Sequence, residues 1–173
     1  MILLNIIKTR IAKLSLLMMG LILASSCTYL EPPNNLHKLK EAKTSHKDYN
    51  IQDGYVAGGY DVVAYFSKRV KRGKSNLVLR YQGVKFKFSN KVNYTAFKNN
   101  PQKYTPQFGG WCAYAMAKDK KVSINPETYL IKNKKLYLFY NAFFNNTLEK
   151  CKKEGEEKVL MQAVKNWAKQ STN

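Results

Sequence analysis

Cys112 is the residue of this chain whose type and surroundings are best suited to chemistry. Its segment, residues 107–115, reads QFGGWCAYA, so the thiol follows two glycines and lies between aromatic side chains. Adjacent glycines let the backbone adopt positive φ angles and let another group approach closely. A cysteine in this setting is either a small packed hydrophobe or a thiol presented for reaction, and the local residues leave both roles open.

Acidic and aromatic side chains elsewhere are candidate neighbours for that thiol. Asp61 follows Gly-Gly-Tyr and is either a helix N-cap or a carboxylate that faces the thiol or a bound cation. Tyrosines are usually core or rim residues, but several of them around a pocket would suit a planar or cationic ligand. We expect a shallow ligand-binding pocket formed by Tyr60, Asp61, Trp111, Cys112 and Tyr114.

Hydrolytic or acyl-transfer catalysis would lack a general base in this chain. Both histidines, His37 and His46, precede the aromatic-rich part of the sequence, and no Walker, Rossmann or HExxH motif is present. A cysteine nucleophile normally needs a neighbouring base to activate it. We therefore leave enzymatic activity uncertain and favour a protein that is not an enzyme.

Metal binding is the other chemistry that thiols offer. A zinc or copper cage needs three or four thiolate or imidazole ligands, and from Tyr55 onward the sequence has two cysteines, two methionines and no histidine. The sequence therefore predicts at most weak binding of copper or another thiophilic metal, with Cys112 and Met116 as its contacts. No motif for an organic cofactor is present.

Residues 1–26 are typical of a lipoprotein signal peptide. Three basic residues precede an apolar stretch at 14–23 that is too short to span a bilayer, and small residues then lead to Cys27. This end resembles a bacterial lipobox, although Ala24 stands where leucine is usual. We expect lipidation of Cys27 to anchor the protein in the cell envelope, facing the periplasm or the exterior. The alternative is an ordinary secretory signal cut near residue 26.

A polar tether is expected between the lipid and the folded domain. Residues 27–50 contain Pro32-Pro33, lack an apolar period and hold both histidines, which without a scaffold make a poor metal site. Aromatic residues become dense from Tyr55 onward. We therefore predict a single domain over residues 51–173, because the chain that remains after the signal is long enough for one core but not for two.

The mature chain is strongly cationic. Without the three signal-region cations, 27 lysines and arginines remain against 11 acidic residues, a net formal charge of +16. Such a charge attracts anionic lipid headgroups or nucleic acid. The lysines are scattered, however, and an exported protein rarely meets nucleic acid. We therefore predict a solvated surface with some attraction to membranes and no nucleic-acid partner, and we assign no protein partner.

Cys151 is the second thiol of the predicted domain. An oxidising envelope would allow it to pair with Cys112, and closing a loop of roughly 40 residues would stabilise the fold by about 3 to 4 kcal/mol. Residues 149–153 read EKCKK, however, which indicates an exposed, charged helical position for Cys151. The sequence leaves a disulfide and two free thiols open.

The periodicity of the domain predicts an α+β fold. Residues 77–88 and 128–140 each predict an antiparallel hairpin, because two short apolar runs flank a polar or glycine-containing turn. Apolar spacing predicts helices near 90–99 and 157–169, with a helical pattern from Asn141 onward that is broken at Gly155. The residues predicted to be buried are Val78, Phe86, Phe88, Phe97, Leu138, Val164 and Trp167.

Three separated pieces of the sequence resemble the exported branch of the YHS-domain family. They are residues 59–66 (GYDVVAYF), residues 100–114 with their NPQKY and QFGGWCAY motifs, and residues 135–141 (KLYLFYN). The family usually has proline where Val62 stands. The resemblance covers about residues 55–168, nearly the whole predicted domain.

That resemblance carries two implications for Cys112. YHS domains are similar to small treble-clef-like metal modules, in which cysteines after the first hairpin bind metal, but residues 88–93 of this chain contain no cysteine. The exported branch includes selenoprotein-type members, and the resemblance places selenocysteine at the position of Cys112 in some of them. It therefore implies nucleophilic or redox chemistry at that position.

Three functions remain open at this stage. The one we favour is a lipid-anchored envelope binding module for a metal or small ligand, with Cys112 as its reactive contact. The first alternative is a structural envelope lipoprotein without a ligand. The second alternative is a thiol redox enzyme that uses Cys112, with Cys151 as a resolving cysteine.

Overall fold

Four antiparallel hairpins and five α-helices form the part of the chain that the structure, a computed structural model, describes, residues 48–171. The strand pairs are β1 (Ile51–Gln52) with β2 (Tyr55–Val56), β3 (Val78–Tyr81) with β4 (Val84–Lys87), β5 (Asn125–Lys132) with β6 (Lys135–Phe139), and β7 (Asn141–Ala142) with β8 (Asn145–Asn146). The helices are α1 (Lys91–Asn99), α2 (Pro101–Tyr104), α3 (Ala113–Met116), α4 (Thr147–Glu154) and α5 (Glu156–Gln170). The α+β class predicted from the sequence is confirmed.

All four of these hairpins close through two-residue loops in which both residues have positive φ angles, as in a type I′ turn. The loops are Asp53-Gly54, Gln82-Gly83, Asn133-Lys134 and Phe143-Phe144. This turn follows the right-handed twist of the strands, and glycine and asparagine adopt its backbone with the least strain. Three loops contain one of those residues, whereas Phe143-Phe144 contains neither.

The β3–β4 hairpin buries one face against α1. Val84 and Phe86 point into the core while Lys85 between them is exposed, which is the alternation that the sequence predicts. The ring centroids of Phe86 and Phe97 lie 4.7 Å apart, and those of Phe88 and Phe97 lie 5.1 Å apart. These ring contacts hold the helix on the hairpin.

A second core packs α5 against α3 and β6. Leu160, Ala163 and Trp167 recur at helical spacing on α5 and are buried, so the predicted docking face is present. The ring centroid of Trp167 lies 6.1 Å from that of Phe108. Gly155, with φ of 91°, separates α4 from α5 at the point where the sequence predicts a break.

Two of the seven predicted core residues are only half-buried. The five buried ones are Phe86, Phe88, Phe97, Leu138 and Trp167. Val78 and Val164 keep part of their surface in solvent. Val78 begins a strand whose one partner is β4, and Val164 lies at the margin of the buried face of α5, which turns toward Val159 and Asn166.

Three further features differ from the sequence predictions. The packed domain begins before residue 51, since Tyr49 is buried and the Asn50 side chain donates a 3.1 Å hydrogen bond to the carbonyl of Gly110. Residues 141–146 form the β7–β8 hairpin instead of the start of a helix. Cys151 is fully buried, because the side of α4 that carries it faces the second core.

The predicted signal peptide, the lipidation site at Cys27 and the tether as far as residue 47 lie outside the described residues. Among the helices of residues 48–171, none combines the length and the apolar character needed to cross a bilayer.

Truncating Trp167 tests the docking of α5. We expect Trp167→Ala to lower the free energy of unfolding by about 3 to 5 kcal/mol, because it leaves a cavity beside Phe108. Urea denaturation followed by circular dichroism measures this change. Val92→Ala on α1 is the control, since Val92 is 77% exposed and its truncation should change stability by less than about 0.5 kcal/mol. Equal effects of the two substitutions would contradict the docking of α5 through Trp167.

Candidate functional site

An open groove with a volume of about 780 Å³ lies between three segments of the described chain. Its lining comes from the stretch between Gln52 and Tyr60, from Arg72, and from residues 124–127. Small-molecule sites are typically concave and carry a few convergent polar groups. Of the five residues expected to form a ligand pocket, Tyr60 is the one that lines this groove.

Tyr60 contacts two of the three charged residues that line the groove. The guanidinium carbon of Arg72 lies 4.9 Å from the centre of the Tyr60 ring, a cation–π contact. The hydroxyl of Tyr60 donates a hydrogen bond of 3.1 Å to a carboxylate oxygen of Glu127. The backbones of Tyr60 and Arg72 also form an antiparallel bridge. The tyrosine therefore places a cation over its face and an anion at its hydroxyl.

Gln52 contributes an acceptor without a partner among the described residues. Its side-chain nitrogen donates a 3.2 Å hydrogen bond to the carbonyl of Ile124, which fixes the orientation of the amide. Its Oε1 atom is buried and accepts no hydrogen bond. An unpaired buried acceptor costs about 1 to 3 kcal/mol, and a donor on a bound molecule would relieve that cost only after a movement that exposes the atom.

The backbone of the groove is held in an unusual conformation at Gly58. Ala57, Gly58 and Gly59 have consecutive φ angles of 53°, 59° and 76°. The left-handed region costs a residue with a Cβ roughly 1 to 2 kcal/mol. A Cβ on Gly58 would lie 3.3 Å from a ring carbon of Pro126, and Tyr65 fixes that segment by donating to the Pro126 carbonyl at 2.7 Å. The two walls therefore approach each other closely at this glycine.

Asp61, next to Tyr60, is a fully buried carboxylate that accepts five hydrogen bonds. One oxygen accepts from the backbone nitrogens of Val63 and Ala64 at 3.0 and 3.3 Å, and so caps the turn that follows. The other accepts from the nitrogen and hydroxyl of Ser89 at 2.8 and 2.7 Å, and from the Asn93 amide at 2.7 Å. Its partners are thus those of a structural cap.

Cys112 is fully buried where β6 ends and α4 begins. Its sulfur accepts a 3.3 Å hydrogen bond from the backbone nitrogen of Tyr140 and lies 3.4 Å from the hydroxyl oxygen of Thr147. The Thr147 hydroxyl donates its own proton to the Tyr140 carbonyl at 2.7 Å, so the thiol is the donor toward Thr147. Cys112 is a packed, hydrogen-bonded group here, and its reactivity stays a prediction.

Cys151 is also a free thiol in the buried interior. Burial raises the pKa of Cys151 to about 11, and the nearby carboxylate of Glu156 adds to the rise. The thiolate is the nucleophilic form of cysteine, so a raised pKa makes this thiol a weak nucleophile at neutral pH. The disulfide considered from the sequence is not formed in the structure.

The remaining predicted site residues lie in other contacts. The indole nitrogen of Trp111 donates to the Asp48 carbonyl at 2.7 Å, and the hydroxyl of Tyr114 donates to Glu154 at 2.5 Å. Met116 is fully buried in the second core. The structure therefore does not bring the five expected residues into one pocket. Within residues 48–171, no three histidine, cysteine, aspartate or glutamate side chains are grouped so that they could hold a metal ion.

Sequence reasoning missed five polar residues of the groove, namely Gln52, Asp53, Arg72, Asn125 and Glu127. They stand in unrelated parts of the chain, and the tertiary fold alone brings them together. One signal was available for Arg72, because residues 68–74 read KRVKRGK and so concentrate five cations next to the segment that carries Tyr60 and Asp61. Comparisons of the chain with known protein families, with curated proteins and with solved structures found no match.

Replacing Asp61 tests its role as the anchor beside the groove. We expect Asp61→Asn to lower the free energy of unfolding by about 3 kcal/mol, because an amide nitrogen would face the donors of Ser89 and Asn93. Asp53→Asn makes the same chemical change at an exposed turn residue with φ of 53°, which asparagine tolerates well. Chemical denaturation of both variants provides the comparison. A loss below about 0.5 kcal/mol in Asp61→Asn would contradict the anchoring role.

The thiols give a second test. We expect Cys151 to react slowly with a soluble thiol probe at pH 8, and its rate to rise about tenfold per pH unit below pH 11, since the thiolate fraction rises in that way. Peptide mapping by mass spectrometry separates its rate from that of Cys112 in the same sample. A Cys151 rate that does not change with pH would show that local opening, and not ionisation, limits the reaction.

Proposed function

We propose that this protein is a small-ligand binding module and that its ligand site is the groove at Tyr60. The observation that supports this proposal most directly is the Arg72 guanidinium stacked on the Tyr60 ring, in a groove that Gln52 also lines. A guanidinium recognises carboxylate or phosphate groups, and the Oε1 atom of Gln52 would accept from a hydrogen-bond donor once ligand binding exposes it. The ligand class is therefore a small polar anion that also carries an amine or hydroxyl group.

The acidic side of the groove favours the same ligand class. Glu127 accepts from Tyr60, and Asp53 lies on the rim as an exposed residue. Carboxylates that line the same groove as a guanidinium complement a molecule with charges of both signs better than a simple inorganic anion. An amino acid or an amino sugar derivative has this combination of groups.

Thiol chemistry has less structural support than ligand binding. Cys112 and Cys151 are both without exposed surface, and the partners of the Cys112 sulfur are a backbone nitrogen and a hydroxyl. Cys112 and Met116 are both fully buried, and two sulfur ligands fall short of the three or four that thiophilic metals usually take. We therefore place binding in the groove and keep the structural lipoprotein as the alternative.

The cellular setting is part of the proposal. The signal-like residues 1–26 and the lipobox-like Cys27 support a lipid-anchored protein of the cell envelope. The resemblance to the exported YHS-domain family supports the same compartment. Neither the ligand class nor the position of the groove depends on that resemblance.

A ligand screen with matched arginine variants tests the proposal. The full chain is screened by thermal shift against amino acids, hydroxy acids and sugar phosphates, and each stabilising compound is then titrated by calorimetry. We expect Arg72→Gln to weaken binding by at least about tenfold, because it removes the charge-assisted contact.

Arg69→Gln is the control for that experiment. Arg69 is exposed in the same basic segment but does not line the groove, so its loss should leave the affinity unchanged. Equal losses of affinity in the two variants would show that net charge, and not a specific contact with Arg72, determines binding. A screen in which no compound raises the melting temperature would favour the structural lipoprotein.

A further inference from the structure

The β7–β8 hairpin presents two phenylalanines to solvent at its turn. Phe143 is 91% exposed and Phe144 is 113% exposed, more than any other large apolar side chain among residues 48–171. Residues 141–148 around them read NAFFNNTL and carry no charge. Large apolar side chains exposed together on one projecting turn are a typical mark of an interaction site.

Of the four hairpin loops, this turn has the sequence least suited to its backbone conformation. Phe143 and Phe144 have φ angles of 50° and 62°, where a bulky side chain is strained. The loops at Asp53-Gly54 and Gln82-Gly83 have the same geometry and use glycine. Neither ring gains packing in return, so stability of the folded domain does not explain these two residues.

Hydrogen bonds hold the base of the β7–β8 hairpin in place, so that the turn projects in a fixed direction. Asn141 donates to the hydroxyl of Thr128 at 3.1 Å, and its carbonyl accepts from Asn125 at 3.3 Å. At the same end of the hairpin, the backbone nitrogen of Thr147 donates to the Tyr140 carbonyl at 3.0 Å. The two rings therefore project from a braced support.

The size of the apolar surface favours a lipid partner over a protein partner. A stable protein interface buries about 800 Å² on each side around a packed apolar centre. The rings here are flanked by small or polar residues, Ala142 and Asn145. Such a turn lacks the surrounding surface for a shape-matched interface, whereas two aromatic rings enter the interfacial region of a bilayer without any need for a matching pocket.

The charge of the domain identifies the kind of lipid. Residues 48–171 contain 23 lysines and arginines against nine aspartates and glutamates, a net formal charge of +14. Residues 62–118 contain twelve of these cations and no acidic residue. In β3–β4, Arg80 and Lys85 stand directly opposite each other, an arrangement that is unfavourable unless an anion lies nearby. Cationic surfaces of this kind are attracted to anionic lipid headgroups.

We propose that the Phe143-Phe144 turn inserts into the interface of an anionic lipid bilayer and that the net positive charge of the domain attracts it to that surface. This contact is separate from the ligand groove and from lipidation of Cys27. A failure of the ligand screen would therefore leave it standing, and its own failure would leave the groove proposal standing.

Tryptophan fluorescence of the full chain tests the insertion. Phe144→Trp places a reporter at the turn, and the emission of the wild-type chain is subtracted as background. In phosphatidylglycerol vesicles with brominated acyl chains, we expect a blue shift and at least a twofold loss of the added emission. Vesicles of phosphatidylcholine alone, with the same brominated acyl chains, should quench the added emission much less.

Val92→Trp is the matched control, because Val92 is the other strongly exposed apolar residue and lies on α1. Its emission should not be quenched by either kind of vesicle. The proposal is overturned if the two reporters behave alike, or if neutral and anionic vesicles quench Phe144→Trp equally. A blue shift that appears without vesicles and grows with protein concentration would also overturn it, in favour of contact with a second copy of the chain.

A second variant separates insertion from folding. Phe143→Asn with Phe144→Gly gives the Asn-Gly pair that suits a type I′ turn best, so the melting temperature should rise. The same double variant, read through a tryptophan at Ala142, should lose at least twofold in quenching relative to Ala142→Trp alone. A variant that is more stable and still inserts equally well would show that the phenylalanines are not the inserting groups.

Discussion

The buried carboxylate of Asp61 is the constraint on which the rest of the site depends. Its five hydrogen bonds join the turn at Val63 and Ala64 to the end of the β3–β4 hairpin and the first turn of α1. Its backbone nitrogen also donates to the Lys71 carbonyl at 2.8 Å. That bond aligns the basic segment so that Arg72 comes over the ring of Tyr60. A buried carboxylate is stable only when its oxygens accept hydrogen bonds. This network therefore fixes the relative positions of the segments that donate to Asp61.

The groove follows from that arrangement together with contacts from β5. Tyr65 reaches the Pro126 carbonyl and Gln52 reaches the Ile124 carbonyl, so both walls are braced by side chains of the first 20 described residues. The close approach at Gly58 then sets the width between the walls. Ligand affinity at such a site depends on groups that are already in position before binding, because little conformational entropy remains to be lost.

The sequence predicted the local elements better than the site. The hairpins at β3–β4 and β5–β6 and the long helix α5 follow from periods of two and of 3.6 residues, which short stretches of sequence contain in full. The groove joins Gln52, Arg72 and Glu127, whose separations of 20 and 55 residues leave no periodic signal. Cys151 was placed at the surface because its neighbours are charged, but those neighbours occupy the outer face of α4 while the cysteine faces inward. Cys112 was predicted to line a pocket as a reactive contact, whereas the structure buries it against Tyr140 and Thr147, which are distant in sequence.

Positive φ angles occur both at turns whose residues suit them and at positions whose residues do not. The positive φ angles at Asp53-Gly54, Gln82-Gly83 and Asn133-Lys134 belong to hairpin turns that contain glycine or asparagine, so folding accounts for them. Ala57, next to the groove residue Gly58, and the Phe143-Phe144 turn have the same conformation without such a residue, as do Lys68, Phe108 and Asp119. Strain of this kind persists when the surrounding structure over-determines it, and it tends to collect at sites of recognition. Two of these positions lie beside the groove and at the exposed turn, and the hairpin that carries the turn is bonded to Asn125 of the groove wall. A ligand in the groove and a bilayer at the turn would thus act on the same edge of β5.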